Sequence, residues 1–251
     1  MKKAIIILLA IIIAGAGAMI FIRYGKILPT KSTTSPTVSK AVETTLTTAT
    51  ATTTAAQTTK TNPNEDLLIL VNFENPLPKD YKLNLTDTEF HQKIDVRASK
   101  ALEQMLGDCR AAGYKPLPCS GYRSKEKQQK LFDVKKTEYL RKGMSKEKAE
   151  QAASEWVARP GTSEHHTGLA MDIVDLNYQL LDKRQEQTGT QKWLMKHCTE
   201  YGFILRYPTD KKAVTHINYE PWHYRYVGKE NAKKIAESGL CLEEYLEKVN
   251  G

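Results

Sequence analysis

The apolar positions of this chain change their period several times, and each change marks an element. The first is a continuous run, Ala4 to Ile22, 19 residues without a charge. At about 1.5 Å per helical residue it approaches the roughly 30 Å of a bilayer core. Lys2 and Lys3 precede it; Arg23 and Lys26 follow it. The small residues of "AGAGA" offer a rival reading as a cleaved signal. The run continues through Met19–Ile22, however, and exceeds the apolar core of an ordinary signal. An uncleaved single-pass anchor over residues 1–26 is therefore expected, with the rest of the chain outside the cytoplasm. Residues 27–61 then lose all periodicity. They are rich in Thr, Ala and Ser and lack aromatic residues. Such a segment buries too little apolar surface to offset its ordering entropy, and it reads as a stalk.

Periodicity returns near residue 62, where a single folded domain, 62–251, is expected to begin. "LLILVN" (67–72) looks like a short strand or docking segment. Over about 90–112, Ile94, Ala98, Leu102, Met105, Cys109 and Ala112 share one helical face, and Gly113 ends it. "PLPCSGYRS" predicts a strand entering a turn. Ser124 caps a helix through about Arg141, and Ser145 another through about Ala158. "LAMDIVDL" alternates as a strand. Gln191–Tyr201 is helical and closed by Gly202. "FILRYP" and "HINYEPWHYRYVG" are strand-like, and two short helices finish the chain. Helices mixed with short hairpin-like strands indicate an α+β fold, a small antiparallel sheet flanked by helices.

The net charge of +8 suggests nucleic acid until it is located. Residues 1–61 account for +6 of it, and the folded part is nearly balanced. Charge therefore flanks the expected anchor, and no nucleic-acid partner is called for. Outside the cytoplasm, disulfides persist, which makes Cys109, Cys119, Cys198 and Cys241 disulfide candidates. A Cys109–Cys119 bridge would close a short helix-to-strand connection and leave Cys198 with Cys241. Four free, partly buried thiols are the alternative. The spacings do not suit a cysteine zinc site.

Chemistry concentrates late in the domain. His165 and Asp172, in "SEHHTGLAMD", offer a nitrogen and an oxygen ligand seven residues apart. His223, in "EPWH", offers another nitrogen, with Glu220 close by. Two histidines and one carboxylate make a catalytic zinc shell with a position left for water, and a carboxylate outside the shell is a candidate base. Strand alternation resists placing Glu220 and His223 on one face, so a bulge or a turn at Pro221 is required.

In this order and spacing, "SGYRS", "SEHHTGLAMD", "GFILRYP" and "YEPWHYRYVG" resemble the VanY-type D-alanyl-D-alanine carboxypeptidases, over roughly residues 65–248. The resemblance implies a zinc peptidase acting on peptidoglycan stem peptides. It implies His165, Asp172 and His223 as zinc ligands, Glu220 as general base, and Arg123 as the cation that meets the scissile carbonyl or the substrate carboxylate. It also implies Gln128 and Ser163 as pocket-lining positions and Trp222 as pocket wall, and it leaves His166 a neighbour of the metal. One departure stands out: His216 occupies a position where the family commonly has glycine. Expected is a monomeric, membrane-anchored D,D-carboxypeptidase. L,D-carboxypeptidase and D-Ala-D-Ala dipeptidase activities are the near alternatives, and a non-catalytic wall-binding module is the distant one.

Overall fold

The computed structural model describes residues 65–250. The expected anchor and stalk, residues 1–26 and 27–61, lie outside the described residues. Among the described residues no helix is long and apolar enough to cross a membrane.

The chain enters through a 3-10 turn, Glu65–Leu68, so "LLILVN" is not a strand. A two-stranded antiparallel ribbon follows, β1 (Leu85–Asp87) with β2 (Lys93–Asp95). Helix α1 spans Val96–Ala111. The expected start near residue 90 is corrected. Asp95 sits in extended backbone and its side chain accepts from Arg97 N, so it caps the helix. Ile94 therefore reaches the core from β2 and not from α1.

β3 (Pro116–Ser120) leads to α2 (Lys125–Arg141) and α3 (Lys146–Ser154), capped by Ser124 and Ser145 as expected. α3 ends four residues earlier than its pattern suggested. β4 (Ala170–Asp175) is followed by α4 (Gly189–His197), a 3-10 turn to Tyr201, and β5 (Phe203–Leu205). A short α5 (Lys212–Thr215) precedes β6 (His223–Tyr226), so only the second half of "HINYEPWHYRYVG" is a strand. α6 (Lys229–Ser238) and α7 (Leu242–Asn250) complete the α+β fold.

The main sheet is antiparallel throughout, in the order β3-β4-β6-β5. Alternation sends Met171 and Ile173 of β4, Phe203 of β5 and Tyr224 of β6 into one apolar cluster with Leu102, Met105 and Cys109 of α1 and Leu194 of α4. Ile204, Val227, Ala232, Ile235, Leu242 and Tyr245 form a second cluster beneath α6 and α7. Tyr224 donates its hydroxyl to Gln191 Oε1 at 2.6 Å, so its polar end is satisfied inside the core.

The disulfide expectation is corrected. All four cysteines are free thiols. Cys109 lies on the core face of α1, and Cys198 belongs to the same cluster. Cys119 falls at a register shift between Pro118 and Ser120, and its thiol donates to the Asp172 carbonyl at 3.4 Å. The packing of α1 and the bulge in β3 thus commit the nearest pair, Cys109 and Cys119, to different surroundings.

Candidate metal centre

The site is assembled by strand register and two tight turns. Asp172 on β4 pairs with His223 on β6 and with Ser120 on β3. His165 sits in a 3-10 turn, Glu164–Thr167, that ends at Gly168 with φ 75°. A Cβ on Gly168 would lie 2.7 Å from Leu85 and 3.1 Å from the Asp95 nitrogen, so the position needs glycine for both conformation and space. Gly121 is needed for close approach alone, since a Cβ there would meet the Lys93 carbonyl at 2.2 Å.

That approach lets Gly121 O accept from His165 Nδ1 at 2.8 Å. A carbonyl only accepts, so Nδ1 carries the proton and Nε2 presents a lone pair. His165 Nε2 lies 3.3 Å from Asp172 Oδ2, and His223 Nδ1 lies 3.2 Å from Asp172 Oδ1. The imidazole rings of His165 and His223 stand edge to face, with centroids 4.8 Å apart. All three residues are buried, and their ligand atoms lie within 4.8 Å of one another. Ligands about 2.0–2.1 Å from a tetrahedral zinc are themselves roughly 3.3 Å apart, the spacing seen from Asp172 to each histidine.

Glu220 and His223 bracket a turn. His223 N donates to Glu220 O at 3.1 Å, and Pro221 and Trp222 occupy the turn between them. The turn overrides strand alternation and brings Glu220 Oε2 within 3.6 Å of His223 Nδ1. Trp222 is buried there.

Arg123 donates through one terminal nitrogen to Asp172 Oδ2 at 3.1 Å and through the other to Gln128 Oε1 at 2.9 Å. Gln128 also donates to the Ala158 carbonyl at 2.7 Å. Both ends of its amide are used inside the protein, so Gln128 holds Arg123 in place. His166 is no ligand: it donates from Nδ1 to the Arg123 carbonyl at 2.7 Å and accepts from Gly161 N at 3.0 Å. Together the adjacent histidines pin the "SGYRS" turn at Gly121 and Arg123. Ser163 is buried just before the 3-10 turn and makes no side-chain cap.

Electrostatics follow from this enclosure. Burial raises the Asp172 carboxyl, but His165, His223 and Arg123 outweigh it and hold the group well below the usual carboxylate range. Burial, joined by the Arg123 charge, pushes His165 down to about 4. Burial also lowers His223, yet its contacts with Asp172 and Glu164 prevail and raise it to about 9. Burial pushes Glu220 up to about 8, with Asp172 adding to the rise and His223 and Arg123 opposing it.

Five buried side-chain polar atoms lack a hydrogen-bond partner among the described residues: Arg123 Nε, Glu164 Oε2, His165 Nε2, Asp172 Oδ1 and His223 Nε2. All five belong to this one site. Buried polar groups are normally satisfied, and a cluster of exceptions marks a place that a ligand completes. Three of the five, His165 Nε2, Asp172 Oδ1 and His223 Nε2, belong to the candidate metal ligands.

The model of the family described as "VanY: D-alanyl-D-alanine carboxypeptidase" matches residues 91–229. The chain belongs to this family. It is 46% identical over 181 residues to a D-alanyl-D-alanine carboxypeptidase of Enterococcus faecalis, an alignment spanning 71% of this chain and 65% of that relative. A vancomycin-resistance D,D-pentapeptidase VanY, solved in complex with Zn(II), superposes with a TM-score of 0.66 at 45% identity, covering 72% of this chain and 99% of the other. The LdcB LD-carboxypeptidase superposes with a TM-score of 0.63 at 39% identity, covering 74% and 87%.

Three residues that no motif reading singled out also shape the VanY site. Glu164, Arg206 and Arg225 are buried charges behind His223. The pairing of Arg206 and Arg225 with Glu164 spans 42 and 61 residues. Tyr207 stacks on His223 with centroids 4.8 Å apart. It also lines a neighbouring cavity of about 250 Å³ together with Phe73, Glu155, Arg159, Lys212 and His216. His216 stands at φ 57°, a conformation that favours glycine, and its ring meets Phe73 edge-on with centroids 4.3 Å apart.

Proposed function

We propose that this chain is a zinc-dependent D-alanyl-D-alanine carboxypeptidase that removes the terminal D-Ala from peptidoglycan stem peptides. The observation that carries it is the gathering of every unsatisfied buried polar atom of the described residues around one His-Asp-His set, with Glu220 beside it. Bound zinc supplies Lewis acidity there, bringing a water's pKa to about 7 and polarising the scissile carbonyl.

The chain's own residues do the rest. Glu220 takes the proton of the attacking water. It then passes that proton to the leaving amine of the terminal D-residue. Arg123 offers Nε, a donor with no partner among the described residues, beside the Asp172 it already contacts. A guanidinium so placed stabilises developing negative charge on the carbonyl oxygen or holds the substrate carboxylate. Ser163 and Trp222 border this space, and the cavity beyond Tyr207 receives the upstream part of the peptide. The apolar run at residues 4–22 anchors the enzyme, as a monomer, on the outer side of a membrane where stem peptides are exposed.

Likeness to the LdcB LD-carboxypeptidase favours a second reading, removal of D-Ala from a tetrapeptide. One experiment separates them. The zinc-loaded chain is incubated with pentapeptide and tetrapeptide muropeptides, with and without chelator, and product masses are read. Chelator-sensitive loss of one terminal residue from the pentapeptide is expected. Loss from the tetrapeptide alone moves the reading to L,D chemistry. No mass change with zinc bound removes stem peptides as substrate.

A further inference from the structure

Glu164 lies next to a metal ligand, yet its side chain turns away from the open side of the site. It is fully buried. Its Oε1 accepts from Arg206 Nε at 2.8 Å and from Arg225 at 2.7 Å. That leaves Oε2, which among the described residues has no hydrogen-bond partner and stands 3.4 Å from His223 Nε2, itself without one there. The two atoms thus stand opposite each other.

The two arginines are in turn held from outside. Arg206 donates to both carboxylate oxygens of Glu243 on α7, at 2.8 and 2.6 Å. Arg225 donates to the carbonyls of Leu67 and Ile69, at 2.9 Å each. Asn72 reaches Glu243 as well, at 3.3 Å. Leu67, Ile69, Asn72 and Glu243 all lie beyond residues 91–229, the part matched by the family model. Two flanking segments from opposite ends of the described chain thus converge on one carboxylate.

We propose that Glu164 is a positioning residue for His223, and that α7 and the segment at residues 67–72 clamp it there through Arg206 and Arg225. An imidazole has two nitrogens, and the partner of one decides which lone pair is free. A carboxylate facing Nε2 favours the tautomer protonated there and leaves the Nδ1 lone pair for the metal. Glu164 cannot swing away, because both arginines hold its other oxygen. Zinc affinity therefore depends on residues outside the stretch matched by the family model, residues that are not themselves metal ligands. This rests on the metal-site reading above.

The test uses the full chain and zinc itself. Zinc affinity is measured by competition with a chromogenic chelator, the cobalt(II)-substituted protein is examined by visible absorption, and unfolding of the zinc-free protein is followed by heat. Glu164→Gln is expected to weaken zinc binding about 10- to 100-fold and to alter the cobalt bands. Glu243→Gln, which touches no ligand, is expected to weaken zinc in the same direction by a smaller factor. If both variants lower the melting temperature of the zinc-free protein while zinc affinity stays at the wild-type value, the clamp is merely structural and the proposal is overturned. Should Glu164→Gln not fold, Glu243→Gln decides alone, and unchanged affinity overturns the proposal. A wild-type chain that binds no zinc overturns the metal-site reading and this proposal together, which separates the two failures.

Discussion

Met171 and Asp172 follow one another on β4, as Tyr224 and His223 do on β6, and all four are buried. Met171 and Tyr224 join the apolar cluster over α1 and α4. Asp172 and His223 face the other way, into a space ringed by Arg123, Glu164, His165, Glu220 and Arg225. One sheet thus separates two interiors. The apolar side is complete without any ligand, and its hydroxyl and amide groups find partners. The polar side holds every buried side-chain polar atom of the described residues that lacks one. Stability is concentrated on the first face and function on the second, and the same backbone register serves both.

The largest effect that would test this division is on rate. Glu220→Gln keeps the shape of the polar face and removes the proton carrier. Turnover of the pentapeptide is expected to fall by about 10²- to 10⁴-fold, with zinc still bound by metal analysis. A variant near wild-type rate would take the proton-transfer role from Glu220. On the opposite face, Met171→Ala removes buried apolar volume. A loss of about 2–5 kcal/mol in denaturant unfolding is expected, with zinc affinity of the folded protein unchanged. A matching fall in zinc affinity would show that the two faces are not separable.

Acid sharpens the comparison further. Burial raises Glu164 and Glu243, but the Arg206 charge, with Arg225 at Glu164, outweighs it and holds both carboxyls below their ordinary value. Groups depressed in the folded state stabilise it above the unfolded carboxylate pKa, about 4.3, and lose that contribution as pH falls through their folded values. The zinc-free chain is expected to melt above Glu243→Gln at neutral pH, with the gap narrowing in acid. A gap that widens below pH 4 would reverse the sign assigned to this network. The smallest effect concerns His216. Left-handed backbone costs a non-glycine residue about 1–2 kcal/mol, while glycine returns part of this as unfolded-state entropy. His216→Gly is expected to hold or raise the melting temperature, and a clear fall would mean that the Phe73 contact outweighs the strain.

Much of the active face was legible beforehand because its residues cluster in short motifs. Asp172 and His165 share ten residues, Glu220 and His223 share four, and the need for a bulge or a turn near Pro221 followed from strand alternation. The helices capped by Ser124 and Ser145 were legible for the same local reason. What lay hidden depends on long-range contact. Nothing adjacent to Arg206 or Arg225 signals that both meet Glu164, 42 and 61 residues away. Ile94 fitted the helical period of α1, but the Asp95 cap begins that helix after it. The cysteine pairing failed because sequence proximity of Cys109 and Cys119 says nothing of a bulge that turns one thiol onto the Asp172 carbonyl.

The Asp172–His223 register pair carries a last consequence, for quality control during folding. A slip of β4 by one residue against β6 would send the Asp172 carboxylate into hydrocarbon and the Met171 thioether into the metal space. Such an isomer would be unstable and inert at once. Assembly errors in this sheet therefore leave no half-active population to persist, and the ability to hold metal doubles as a report that the strands have paired correctly.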